Sequence, residues 1–226
     1  MKKEYSKELP VYTKGEELFN AISHIVGGAF GVVALVLGII VACLHSNTYG
    51  VVSMVIYGCS MILLYTVSSI YHFLRKNKAK KVFRIFDHCM IYLLIAGTYT
   101  PYCLVTLREV GIWGWLIFCV VWVFAILGIV FNAINMHHPV IKTLSMICYL
   151  FMGWCIIFAI KPLISQLPMP GFIWLLVGGL MYTIGAVFYG FGKKAKYIHS
   201  VWHLFVVAGT ICQFISILLY VLMWFY

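Results

Sequence analysis

Five residues of this chain have types and spacings that can do chemistry together. Ser68 and His72 stand four apart, as do His199 and His203, and Asp87 is the single aspartate of the sequence. Residues four apart on a helix share a face, so each pair points one way. Three imidazoles can hold zinc (Zn2+) in a tetrahedral site with one open position, the pattern of catalytic rather than structural zinc. Water at such a site titrates at a pKa of about 7, which makes hydroxide available at neutral pH. A carboxylate such as Asp87 can orient that water or take its proton. The Ser68 hydroxyl can bond a ligand or donate to an oxyanion. The expected site is therefore His72, His199 and His203 on the metal, with Asp87 and Ser68 in catalytic roles.

The elements that must position these residues follow from composition. The chain has 226 residues, 64% hydrophobic and 10% charged, with a mean hydropathy of +1.01. A soluble domain carries roughly a quarter charged residues, so this is expected to be an integral membrane protein. Apolar runs fall near residues 22–44, 51–73, 86–107, 112–131, 141–160, 171–190 and 202–225. Each is long enough for a helix to cross a hydrocarbon core of about 30 Å. Strands of a membrane barrel would be about ten residues long and alternate in polarity. The expected fold is all-α, a seven-transmembrane helix bundle forming a single domain over residues 1–226. The first run is longer than the apolar core of a signal peptide, and no small-residue cleavage site follows it, so it should remain as helix one.

Charge orients the bundle. The N-terminal segment holds Lys2, Lys3, Lys7 and Lys14. The loop expected after helix two holds Arg75, Lys76, Lys78, Lys80, Lys81 and Arg84, the loop after helix four Lys142, and the loop after helix six Lys193, Lys194 and Lys196. All of these fall on one side; the other side has only Arg108 and Lys161. The positive-inside rule then makes the N-terminus cytoplasmic and, after seven spans, the C-terminus outside. Charge spread this way fits anionic lipid headgroups and excludes a nucleic-acid partner.

On this topology His72 closes helix two, Asp87 opens helix three, and His199 and His203 open helix seven, all in the inner leaflet. Ionisable groups at one depth of a bilayer are costly to keep unless they function. His24, after Glu17 and Asn20 on one face of helix one, reads more simply as part of a capping and packing cluster than as a ligand. His88, His137 and His138 read as polar loop or interface residues.

The remaining features read as structural. The eight cysteines include no CxxC pair and fit small packing residues. Gly27, Gly28, Gly31, Gly178 and Gly179 should allow close helix packing. Pro101 should kink helix three in its outer half. Trp113, Trp115 and Trp224 fit interfacial belts. Arg108, Glu109 and Gly111 should form a very short turn.

Seven spans, Ser68-x-x-x-His72, Asp87 and His199-x-x-x-His203 together resemble the progestin and adiponectin Q receptor family. The short chain and Glu17-x-x-Asn20-x-x-x-His24 resemble its bacterial hemolysin III branch. The resemblance covers nearly the whole chain. It implies zinc held by His72, His199 and His203 with Asp87 near the bound water, and kinship with alkaline ceramidases among presumed membrane hydrolases.

Three functions compete. The first is a zinc-dependent intramembrane hydrolase of lipid amide or ester bonds, acting on a lipid substrate or ligand in the inner leaflet of the plasma membrane. The second is a sensor or regulator of membrane lipid state with structural zinc. The third is a cytolytic, pore-forming protein, which the composition disfavours because the outer halves of the helices read as almost wholly apolar. A retinal-binding reading fails, since it needs a lysine mid-membrane and the lysines lie at helix ends or in loops.

Overall fold

A computed structural model of the protein describes residues 9–136, 138–191 and 195–223. Lys2, Lys3, Lys7, His137, Lys193, Lys194 and Trp224 lie outside the described residues. Among those described, seven helices are long and apolar enough to cross a membrane. They are α1 Lys14–His45, α2 Thr48–Phe73, α3 Lys78–Glu109, α4 Trp113–Asn135, α5 Pro139–Gln166, α6 Met169–Gly190 and α7 Ile198–Leu222. The chain is a multi-pass membrane protein. Consecutive helices pack side by side, and α7 returns against α1 to close the ring. The ends carrying His72, His199 and the start of α1 therefore meet, and are called the histidine end below.

Several helices begin before their apolar runs. α1 was expected from about residue 22 and starts at Lys14; α3 was expected from about 86 and starts at Lys78. The extra turns are polar but capped. Thr13 and Glu16 form a reciprocal capping box, and the Asn77 side chain accepts from the Lys80 N–H at 2.9 Å, satisfying amides that would otherwise be unpaired. Lys78, Lys80, Lys81 and Arg84 thus belong to α3 and not to a loop, and Asp87 sits more than two turns inside that helix. Lys142 likewise lies in α5 and not in a loop.

Irregular turns appear at two places. At Pro101 the α-helix gives way to a π-turn, Tyr102–Thr106, and then a 3-10 turn, Leu107–Glu109, the register change expected where a proline removes an N–H. The chain reverses at Gly111, whose φ of +58° costs glycine little. In α5 a 3-10 turn, Cys155–Ala159, precedes a last α-helical stretch to Gln166.

α1 packs on α2 through small residues. A methyl group at Gly27 would meet the Tyr65 ring at 2.8 Å, and one at Gly31 would meet Met61 and Ile62 at 3.3 Å, so both give the close approach expected of them. Gly178 does the same for Gln213, but Gly179 has nothing within 4 Å. Gly179 instead faces an internal cavity.

The half of the bundle away from the histidine end is not as apolar as the sequence suggests. Tyr57 Oη donates to the Thr210 carbonyl at 3.3 Å and Tyr102 Oη donates to Gln213 Oε1 at 3.1 Å. The Gln213 amide donates to the Leu175 carbonyl at 3.0 Å, and Ser216 Oγ to the Gly171 carbonyl at 2.7 Å. Tyrosine and serine score as nearly neutral in hydropathy, yet in a lipid-surrounded interior each hydroxyl must find a partner inside. The groups are bonded to one another across helices.

Candidate metal centre

The site begins with the registration of α1 against α7. Glu16 Oε1 accepts the Tyr197 backbone N–H at 2.8 Å, which ties the first turn of α1 to the residue just before α7. Tyr197 is held there in the left-handed region at φ 62°, a costly conformation for a bulky side chain that the bond helps fix. One turn further along, Ser200 Oγ donates to Asn20 Oδ1 at 2.6 Å. These contacts set the depth of His199 and His203 against α1.

The three imidazoles then converge. Ligand-competent nitrogens of His72, His199 and His203 all lie within 4.8 Å of one another, and the rings are 2%, 9% and 1% exposed. The orientation of two rings is dictated from outside the cluster. His72 Nδ1 is 2.7 Å from Glu17 Oε2, and His203 Nδ1 is 3.2 Å from the Asn20 carbonyl. Neither oxygen can donate, so Nδ1 carries the proton in both rings and a neutral imidazole presents Nε2 as a bare lone pair. His72 Nε2 is buried without a hydrogen-bond partner. His203 Nε2 stands 3.2 Å from His199 Nε2.

This donor set fits a metal ion. Two nitrogens at 3.2 Å share either a proton or a cation, and a third unpartnered nitrogen beside them favours the cation. Two nitrogen ligands about 2.05 Å from a tetrahedral zinc stand about 3.3 Å apart, close to the 3.2 Å of the His199–His203 pair. The three histidines therefore form a site that can hold a metal ion.

Glu17 is itself held. Lys80, only 2% exposed, donates from Nζ to Glu17 Oε1 at 2.7 Å and to the Leu74 and His72 carbonyls at 3.0 and 3.4 Å. One ammonium thus neutralises the carboxylate that orients His72 and caps the last carbonyls of α2, where the helix dipole favours positive charge. Tyr12 covers the cluster, its ring stacked on His199 at 5.0 Å between centroids. Burial pushes the Tyr12 phenol well above its usual pKa, so it stays neutral there.

Asp87 and Ser68 line a small cavity of about 30 Å³ together with His24, His199 and His203. Leu64, His88, Ile91, Tyr189, Trp202 and Val206 line this cavity and also a second one of about 210 Å³. The larger cavity is walled by α2, α3, α5, α6 and α7, mostly by apolar side chains such as Ile95, Leu150, Ile157 and Leu175. A polar site at the histidine end thus shares walls with a larger, mostly apolar chamber.

All five residues singled out by type and spacing meet at this end. Four others change meaning. Glu17 and Asn20, read as capping residues, hold His72 and His203 instead, while capping falls to Thr13 and Glu16. His88, read as a bystander, lines both cavities. Lys80 had been counted as a loop charge. The signal that could have revealed it is its place seven residues before Asp87, which puts both on one face of α3 once the helix is known to start at Lys78.

Fold and site together define a class: a seven-helix membrane protein with a buried three-histidine centre at one end. Residues 12–214, which contain the whole centre, match the family model described as haemolysin-III related, and the chain belongs to that family. This is the branch its sequence resembles. Hemolysin-3 of Bacillus cereus is 45% identical over 207 residues, covering 92% of each chain. The Hemolysin-3 homolog of Bacillus subtilis (strain 168) is 40% identical over 210 residues, 93% of this chain and 96% of that one. The human Monocyte to macrophage differentiation factor is 27% identical over 167 residues, 72% of this chain and 67% of its own.

Proposed function

We propose that the protein is a zinc-dependent intramembrane hydrolase that cleaves an amide or ester bond in a membrane lipid. The observation that carries this reading is the convergence of three imidazole nitrogens, two with orientation fixed by Glu17 and Asn20, beside a carboxylate and an apolar chamber. His72, His199 and His203 would hold the ion. Zinc in such a site supplies a water of lowered pKa and polarises a carbonyl.

The protein's own groups do the rest. The chamber takes the hydrocarbon chain of the lipid and excludes water from it. The Asp87 carboxylate takes a proton at Oδ from the attacking water and returns it to the leaving amine or alkoxide. The Ser68 hydroxyl donates to the carbonyl oxygen as negative charge develops there. Glu17 and Lys80 hold the His72 ring while this happens. By the positive-inside rule the histidine end faces the cytoplasm, with the N-terminus inside and the C-terminus outside. The scissile bond would then be presented from the inner leaflet of the plasma membrane.

Metal analysis of the purified protein beside hydrolysis of a panel of lipid amides and esters tests the reading. His72→Ala and His203→Ala should lose the metal; Asp87→Asn should keep it and lose turnover. Wild-type protein without zinc, or with zinc and no hydrolysis of any lipid in the panel, would sink the proposal. Full cellular function in Asp87→Asn would instead point to a lipid sensor with structural zinc.

A further inference from the structure

His24 is the one histidine of the cluster that the metal reading does not use. It is 4% exposed, and neither Nδ1 nor Nε2 has a hydrogen-bond partner. Its ring stacks on His203 at 3.7 Å between centroids and meets the edge of Tyr65 at 5.1 Å. Aromatic packing fixes the ring but satisfies neither nitrogen. A buried unpaired polar group costs about 1–3 kcal/mol, so each one calls for an explanation.

The ring lines the small polar cavity, together with Asp87 and the buried Ser68 hydroxyl beside it. An imidazole in either protonation state offers at least one N–H. The unpaired His24 N–H therefore borders a space that shares its walls with the apolar chamber. A molecule complementary to both has a hydrocarbon chain ending in an uncharged oxygen acceptor.

We infer that His24 is a substrate-binding residue that donates a hydrogen bond to the carbonyl oxygen of a lipid amide or ester, and is not a metal ligand. The inference rests on the hydrolase reading only for the fate of the bound lipid, since the same bond would hold a ligand that is sensed and not cleaved. His24 selects for a carbonyl, while the chamber binds chain length.

The test uses full-length protein in lipid nanodiscs with two probes of matched chain, N-ethyl dodecanamide and ethyl dodecyl ether, the second without a carbonyl. Affinity is read as KM where the amide is cleaved and as Kd where it is not. Wild-type protein should prefer the amide to the ether about tenfold, the worth of a buried hydrogen bond. His24→Phe keeps the stacked ring, so its metal content should be unchanged while that preference falls by most of this factor. His24→Gln, which restores an N–H, should recover most of it. Independently of any variant, nitrogen NMR of histidine-labelled wild-type protein should show the His24 resonance shifting with the amide and not with the ether.

Metal loss in His24→Phe would overturn the inference by making His24 a ligand. So would an unchanged amide preference in that variant, a wild-type protein indifferent to the carbonyl, or an unmoved His24 resonance. Failure of the hydrolase reading looks different: the amide binds through His24 and is never cleaved.

Discussion

α3 and α6 are both apolar enough to span a membrane, yet 78% of the most apolar stretch of α3 is buried in the bundle against 17% of that of α6. The two helices stand for two sides of the molecule. On the side of α1, α2, α3 and α7, polar groups are bonded across helices: Glu17 to His72 and Lys80, Asn20 to Ser200 and His203, Tyr65 to Thr210. On the side of α5 and α6, cross-helix bonds such as Trp154 to Thr183 occur too, but many apolar side chains face lipid outside and an apolar chamber inside. The difference teaches how one bundle serves two needs. Ligand geometry demands a rigid surround, while a hydrocarbon chain needs room and little direction.

The largest way to break this contrast is to remove the metal. On the proposed function, chelation acts on the rigid side alone and should cost about 4 kcal/mol of stability if free metal had stood a thousandfold above its Kd. Thermal unfolding of the wild-type protein with and without chelator reads it; His203→Ala should then show no response to the chelator. Next is Glu17→Leu. It strands Lys80 as a buried unpaired cation and should cost about 3 kcal/mol. It also frees the His72 ring, which should weaken metal binding by about tenfold or more in competition titrations. Retained affinity would show that His72 is oriented by something other than Glu17.

A matched glycine pair sharpens the comparison further. Gly27→Ala drives a methyl into the Tyr65 ring and should destabilise by about 1–3 kcal/mol. Gly179→Ala adds the same methyl to the chamber wall and should stay within about 0.5 kcal/mol of wild type. Equal effects in an unfolding assay would erase the distinction between the two sides. The smallest loss expected from deleting a cross-helix bond, read in the same unfolding assay, is that of Tyr182→Phe. Its hydroxyl is 2.8 Å from Thr210 Oγ1, but Tyr65 also bonds that oxygen at 2.7 Å, and helix–helix hydrogen bonds in membranes average about 0.6 kcal/mol.

Much of this was legible before any coordinates. The seven spans follow from run length, and the gathering of His72, Asp87, His199 and His203 at one end follows from alternating helix direction. The polar extensions of α1 and α3 were less visible, because a search for apolar runs stops where the apolar residues stop. A helix continues as long as its amides are bonded, and Thr13 and Asn77 extend it through charged sequence. That is why Lys80 read as a loop residue and Asp87 as the first residue of its helix.

The sequence by itself determined which residues share a helix face and which end of the bundle they occupy, because periodicity and span length are local properties of the chain. On those grounds it placed the three imidazoles and the lone aspartate at one end of the bundle. Only the tertiary structure decided which nitrogens of His72 and His203 look inward, that Glu17 and Asn20 set this choice, that Lys80 is buried, and that His24 is left with no partner at the small polar cavity. Each of these depends on distances of a few ångströms between helices far apart in sequence. Such distances are set by how small residues such as Gly27 and Gly31 let the helices close, and no spacing along one helix encodes them.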